Sequence, residues 1–305
     1  MSLPLLPVFA AWRQTLKAGY SFKALRGDLA AGLTVGIIAI PLAMALAIAV
    51  GVAPQYGLYT VLVAAPLIAL TGGSRFNVSG PTAAFVVILL PITQQFGLGG
   101  LLLCTMLAGL IMIAMGLGRA GRLIEFVPYP VTLGFTAGIG IVIATLQLKD
   151  LFGLSLSSQP LHYLEQVQVL LLALPSAHLG DALVAALSLA VLILWPRWVP
   201  KVPGHLAALA VGTVAGLALE ALGIPLATLG ERFSYSLDGV LHAGIPPFLP
   251  DFAWPWQLPA ANGQPLGLSF ELIRQLLAPA FAIAMLGAIE SLLCAVVADG
   301  MTGSK

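Results

Sequence analysis

NVSGPTAAFVVILL occupies residues 77–90 and is followed by Pro91. Ser79, Gly80 and Pro81 disfavour helix at its entry, and the chain then runs apolar up to the proline. A helix needs about 20 residues to cross a ~30 Å hydrocarbon core, so one that stops at Pro91 reaches only about halfway. The first turn of a helix leaves N–H groups without intrahelical partners, and the aligned peptide dipoles make that end partly positive. Near the bilayer midplane such an end suits a small anion. A short re-entrant segment with packing duties only would read the same way.

The surrounding chain is strongly apolar. Of 305 residues, 59% are hydrophobic and 8% charged, with a mean hydropathy of +1.02. Soluble domains carry about 25% charged residues, so this composition indicates a polytopic membrane protein in a lipid bilayer. The net charge of +1 says nothing about nucleic acid, and no basic run suggests a nucleic-acid partner. Cys104 and Cys294 lie inside apolar segments, so no disulfide framework is indicated. The first twenty residues lack a continuous apolar core with a cleavage site, and no signal peptide is read there.

Residues 1–28 read as a cytoplasmic segment with Arg13, Lys17, Lys23 and Arg26, and with Trp12 and Tyr20 as interface anchors. Spans are expected at 29–50, 58–70, the half-helix, 98–117, 131–148, 183–195, 206–222 and 280–298. Pro41 should kink the first. Two amphipathic stretches, 162–174 and 268–277, suit helices lying in the interface, and 223–267 is a long loop without spanning potential. With the N-terminus inside, Arg13, Lys17, Lys23, Arg26, Arg75, Arg119, Arg122, Arg197, Lys201 and Lys305 face inward. Lys149, Arg232 and Arg274 then face outward, ten cations against three. Gly32/Gly36, Gly134/Gly138 and Gly212/Gly216 have the spacing of close helix–helix contacts.

Glu290 is the one acid well inside a span. A carboxyl at that depth costs a few kcal/mol, so it faces a cavity, finds a partner or carries a proton. It is a candidate for proton or cation coupling, against a structural acid bonded to a neighbouring helix. Asp299 reads as an interfacial cap. Arg75 could draw anions in or snorkel to headgroups. Ser79 and Thr82 could give hydroxyls to a ligand or cap the half-helix. Gly116-x-Gly118-x-x-Gly121 follows a membrane helix without a βαβ unit and is not a dinucleotide site. The sequon at Asn77 lies at membrane depth. His162, His178, His205 and His242 have no metal-ligand spacing, so no metal site is read. No cofactor motif, Walker A sequence or Ser/His/Asp set is present, and an enzyme is not indicated.

Four stretches carry a family likeness: GDLAAGLTVGIIAIPLAMALA (27–47), GVAPQYGLY (51–59), GGSRFNVSGPTAA (72–84) and AIESLLCAVVADGMTG (288–303). In this order they resemble the sulfate permease (SulP) family of anion transporters, and within it most nearly the proton-linked carriers of four-carbon dicarboxylates. The resemblance implies an all-α polytopic membrane fold of fourteen spans in a seven-plus-seven inverted repeat, a STAS domain and a homodimer. The present chain would cover the first repeat and the eighth span, about eight spans with one discontinuous. Spans one to four (29–117) and eight (280–305) would form the core domain. Spans five to seven (118–222) would form the gate, with an extracytoplasmic loop and interfacial helix at 223–279.

Carried over residue by residue, the likeness implies a substrate site at Gly80, Pro81, Thr82 and Ala83, flanked by Pro41, Leu42, Ala43 and Ala45. Glu290 would be the proton-coupling residue. Two departures matter. Leu42 replaces the Gln of many relatives, removing a side-chain amide. Cys294 stands where sodium-coupled members have Thr, and a thiol is a poor sodium ligand. The implied function is secondary active, proton-coupled uptake of succinate-type dicarboxylates across the inner membrane. A sulfate or bicarbonate transporter and a passive anion channel are the alternatives.

Overall fold

The computed structural model describes residues 8–74, 78–118, 129–156, 160, 162–199, 202–237 and 239–302. Arg75, Asn77, Arg119, Gly121, Arg122, Lys201, Lys305 and the side chain of Asp299 lie outside the described residues.

The chain is a series of helices. A short one, α1 (Ala10–Lys17), precedes α2 (Phe22–Ala49). Ser21 caps α2 by accepting the Ala24 N–H at 3.2 Å, so the helix begins at Phe22, well before the apolar run that marks the span. α3 (Pro54–Thr71) starts on Pro54, whose fixed φ suits a first helical position and which takes the preceding turn motif into the helix. A 3₁₀ turn (Ala83–Phe85) leads into α4 (Val86–Leu117). Then follow α5 (Tyr129–Leu151), α6 (Tyr163–Ala173), α7 (Leu179–Trp198), α8 (Gly204–Ala221), the single turn α9 (Leu229–Arg232) and α10 (Phe270–Thr302).

Among the described residues six segments are long and apolar enough to cross a membrane: Phe22–Ala49, Pro54–Thr71, Ala83–Leu117, Leu179–Trp198, Gly204–Ala221 and Phe270–Ala295. α5 adds a helix of 23 residues. The Ala83–Leu117 segment is broken at Gly97 and serves as two of the expected spans.

Contacts divide the chain into two compact units, one of residues 1–29, 42–139 and 249–305, the other of 30–41 and 140–248. In the first, α10 packs along α4. Cys104, Leu276, Ala280 and Ala284 are fully buried and Ala108 is 2% exposed. Small residues four apart on both helices bring the backbones close, and in lipid such packing is the main force holding helices together. In the second unit α7 pairs with α8, and the α7 hydroxyl of Ser188 lies where a Cβ on Gly212 would sit, at 2.6 Å.

Several expectations are corrected. The half-helix does not stop at Pro91. It continues past the proline, and the break falls at Gly97 (φ 67°, ψ −168°). Proline removes only one helical hydrogen bond, and the packing of α10 alongside holds the helix together. Gly97 ends it because the 255–267 loop presses there: a Cβ would come within 2.4 Å of the Ala260 carbonyl carbon. The 268–277 stretch is not a separate interfacial helix but the first turns of α10, which runs through Pro279. Residues 276, 280 and 284 share one buried seam across that proline, so the packing does not register it. The loop after α8 is structured, with β1 (Ser234–Leu237) and β2 (Val240–Ala243) in an antiparallel hairpin. Finally, Gly32, Gly36, Gly134 and Gly138 have nothing within 4 Å of an added Cβ, so among the described residues the Gly212/Gly216 pair alone of the three meets packed neighbours.

Candidate functional site

The site is built where the break in regular structure before α4 meets the middle of α10, both within the first unit. Residues 78–82 are non-helical, with Thr82 extended (φ −123°, ψ 143°), and the helix begins at Ala83. Gly80 is exposed, and an added Cβ there would meet nothing within 4 Å, so the turn borders open space. Pro81, Thr82 and Ala83 are half-buried.

Thr82 holds the position of a helix cap but does not cap. Its hydroxyl donates to Glu290 Oε1 at 2.7 Å, and no side-chain bond returns to the first turn. The Phe85 N–H donates to the Thr82 carbonyl at 3.4 Å, but no side chain caps the N–H groups of Ala83 and Ala84, the kind of helix start that attracts anions. Glu290 Oε2 is buried with no hydrogen-bond partner among the described residues. Behind the pair, Phe85 and Met112 approach α10 at Gly287, where an added Cβ would lie 3.4 Å from the Met112 sulfur and 3.6 Å from the Phe85 ring. The small residue one turn before Glu290 thus lets α10 lie close to the broken helix.

The arrangement combines uncapped N–H donors, an open glycine turn and a carboxyl with one engaged and one vacant oxygen. An ionised Glu290 beside the turn repels an incoming anion, whereas a protonated one does not and can donate a hydrogen bond.

The positions carried over from the first span are placed differently. Ala43 is 1% exposed and is committed to helix packing: a Cβ on Gly57 would lie 2.1 Å from its carbonyl oxygen. Leu42 and Ala45 are exposed, and Pro41 belongs to the second unit. Among the described residues no hydrogen bond joins Leu42, Ala43 or Ala45 to Thr82 or Glu290.

A cleft of about 410 Å³ opens elsewhere between α4 and α10, lined by Pro91, Ile92, Phe96 and Pro279 with the amides of Gln95 and Gln275. It contains neither a cation nor a helix start and shares no residue with the Thr82–Glu290 pair. His178 is engaged at its Nδ1 by the Gly153 carbonyl at 2.8 Å. Among the described residues no three His, Cys, Asp or Glu side chains converge as a metal site would require. Reading the sequence missed the direct Thr82–Glu290 bond. The one hint was Phe85, which stands at the third helical position where a Glu or Gln would complete a capping box.

Comparison with known proteins adds the family. The sulfate permease family matches residues 25–305. YvdB of Bacillus subtilis, provisionally named a sulfate transporter, is 38% identical over 287 residues, covering 94% of this chain and 50% of that protein. The bicarbonate transporter BicA of Picosynechococcus is 29% identical, covering 93% and 48%. The sodium-independent sulfate anion transporter of Bos taurus is 33% identical, covering 90% and 46%. The chain thus spans about half the length of the curated relatives it matches. Among solved structures, the transmembrane domain of a cyanobacterial bicarbonate transporter BicA superposes with a TM-score of 0.72 at 28% identity, over 94% of this chain and 68% of that one. These relatives are named for sulfate and bicarbonate, and none supports a closer likeness to dicarboxylate carriers.

Proposed function

The chain belongs to the sulfate permease family, and on that premise we propose that it is part of a secondary active transporter of a small oxyanion, sulfate or bicarbonate, coupled to protons through Glu290. The observation that carries this reading is the Thr82–Glu290 bond beside the open Gly80 turn. The anion sits at the uncapped start of the broken helix, against Gly80, Pro81, Thr82 and Ala83. Glu290 takes a proton before the anion settles and releases it on the other side. Without the proton, two negative charges share one site in a medium of low dielectric constant, which is strongly unfavourable. Cys294, one turn further along α10, offers a soft thiol and no sodium ligand, which supports a proton as the coupling ion.

The first unit carries the elements expected of a core domain and the second those expected of a gate. The core would hold the broken helix and α10, the gate α7 and α8. The excess of Lys and Arg on one side supports a cytoplasmic N-terminus in the cell's inner membrane. The whole protein is read as a homodimer.

Uptake by the full-length protein in proteoliposomes tests the reading. Labelled sulfate or bicarbonate should accumulate when the outside is acidified. Glu290→Gln should abolish that accumulation while sparing anion exchange. Unchanged accumulation in the variant removes Glu290 from coupling, and unitary currents in place of saturable uptake indicate a channel. Succinate or fumarate taken up in preference to both inorganic anions would return the substrate to the dicarboxylates that the motifs suggest.

A further inference from the structure

We propose that α1 and the first turns of α2 form a binding surface for anionic phospholipid headgroups, whichever anion the protein carries. Along α1 the side chains fall into rows four residues apart. Ala11, 5% exposed, and Thr15, whose hydroxyl donates to the Ala11 carbonyl at 2.9 Å, make the inward row. Trp12 and Leu16 make the next, 52% and 53% exposed, and Arg13 and Lys17 make the row beyond, both exposed. An apolar ridge beside a cationic ridge is the form of a helix lying in the headgroup layer. Phe22 at 74% and Tyr20 at 43% exposure extend the apolar part, and the exposed Lys23 and Arg26 extend the charge.

Charge complementarity selects the occupant. Arg13, Lys17, Lys23 and Arg26 have no ion-pair partner among the described residues. The only carboxylate within residues 8–28, Asp28, accepts the Tyr20 hydroxyl instead. Four unpaired cations flanking exposed aromatic side chains, next to a membrane-spanning helix, match phosphate headgroups over an acyl boundary. They do not match an uncharged lipid surface.

α1 is also tied to the rest of the unit. The Phe9 N–H donates to the Thr71 carbonyl at 3.1 Å, and Phe9 takes a left-handed conformation (φ 63°) to do so. A bulky residue holds that conformation only where its surroundings impose it. Lipid bound to α1 therefore grips the end of α3, from which the chain runs on to the Gly80 turn.

The test uses the full-length protein with Trp12 as the only tryptophan, the others replaced by Phe, in phosphatidylcholine vesicles containing phosphatidylglycerol. Brominated phosphatidylglycerol should quench Trp12 more strongly than brominated phosphatidylcholine at equal mole fraction, and high salt should narrow the gap. Arg13→Gln with Lys17→Gln should equalise the two lipids, and Arg13→Lys with Lys17→Arg should keep the preference. Monodispersity on gel filtration confirms that each variant is folded. Equal quenching by both lipids in the unaltered protein overturns the proposal. Quenching by aqueous iodide alone, which places α1 in water, overturns it too. So does a Trp12 shielded from both lipid and iodide, which places protein over the surface.

Discussion

Thr82 donates its hydroxyl to Glu290 Oε1 at 2.7 Å, across 208 positions of sequence, and so ties the start of the broken helix to the middle of α10. Thr82→Val keeps the shape and removes the donor, leaving both Glu290 oxygens without a protein partner. An unsatisfied buried acceptor costs about 1–3 kcal/mol, so anion affinity or folded stability should fall by roughly tenfold or more in equilibrium terms. Thr82→Ser should restore most of it. In a double-mutant cycle with Glu290→Gln, read by anion binding to the full-length protein, a coupling of about 0.5–3 kcal/mol is expected. Strict additivity would show that the two residues act separately.

Gly57 is fitted against the backbone of α2. A Cβ there would lie 2.1 Å from the Ala43 carbonyl oxygen and 2.6 Å from its carbonyl carbon, atoms that cannot swing aside. Gly57→Ala must push the two helices apart, and overpacking of this kind costs about 1–3 kcal/mol. The measurement is Tm in detergent, which should drop by several degrees. An unchanged Tm would mean that α2 and α3 do not cross so closely.

Pro91 and Gly97 make opposite predictions about where the helix breaks. Pro91→Ala restores an N–H to the helix and should leave stability unchanged or raised. Gly97→Ala imposes a left-handed conformation on a residue with a Cβ, about 1–2 kcal/mol, and drives that Cβ into the backbone at Ala260 and Ala261. Limited proteolysis should then cut the 258–266 loop faster in the Gly97 variant only. Faster cutting in the Pro91 variant alone would move the break back to the proline.

Tyr20 gives a pH signature outside the membrane-spanning segments. Its hydrogen bond to Asp28 raises the phenol pKa above 10.0, with desolvation and the Asp28 charge adding to the effect. The raised group favours the protonated phenol, so the contribution of this bond is complete below pH 10 and is lost as pH rises through the folded pKa. In an ultraviolet titration of tyrosinate, the transition missing from Tyr20→Phe should lie above the ordinary value. A missing transition at or below it would show that the bond does not form in solution.

Composition and hydropathy were enough to identify a helical membrane protein and to place most of its spans, because a bilayer demands long apolar runs whatever lies beside them. Glu290 stood out for the same reason, as the one carboxyl well inside an apolar span. The family motifs, too, were legible from one end of the chain to the other. Local sequence could not tell which breaker breaks. Pro91 and Pro279 are the stronger local signals, yet both sit inside continuous helices, because the α4–α10 seam passes across them. Gly97 ends a helix because a loop some 160 residues later presses on it, a contact invisible at the glycine itself. Likewise the spacing of Gly32 and Gly36 matched that of Gly212 and Gly216, but among the described residues the latter pair alone meets packed side chains. Thr82 is the clearest instance. As a residue type it is a helix cap; with Glu290 brought within 2.7 Å, its hydroxyl goes to the carboxylate and the helix start is left open. Local sequence supplies the groups and their costs in lipid, whereas long-range packing chooses which of them meet.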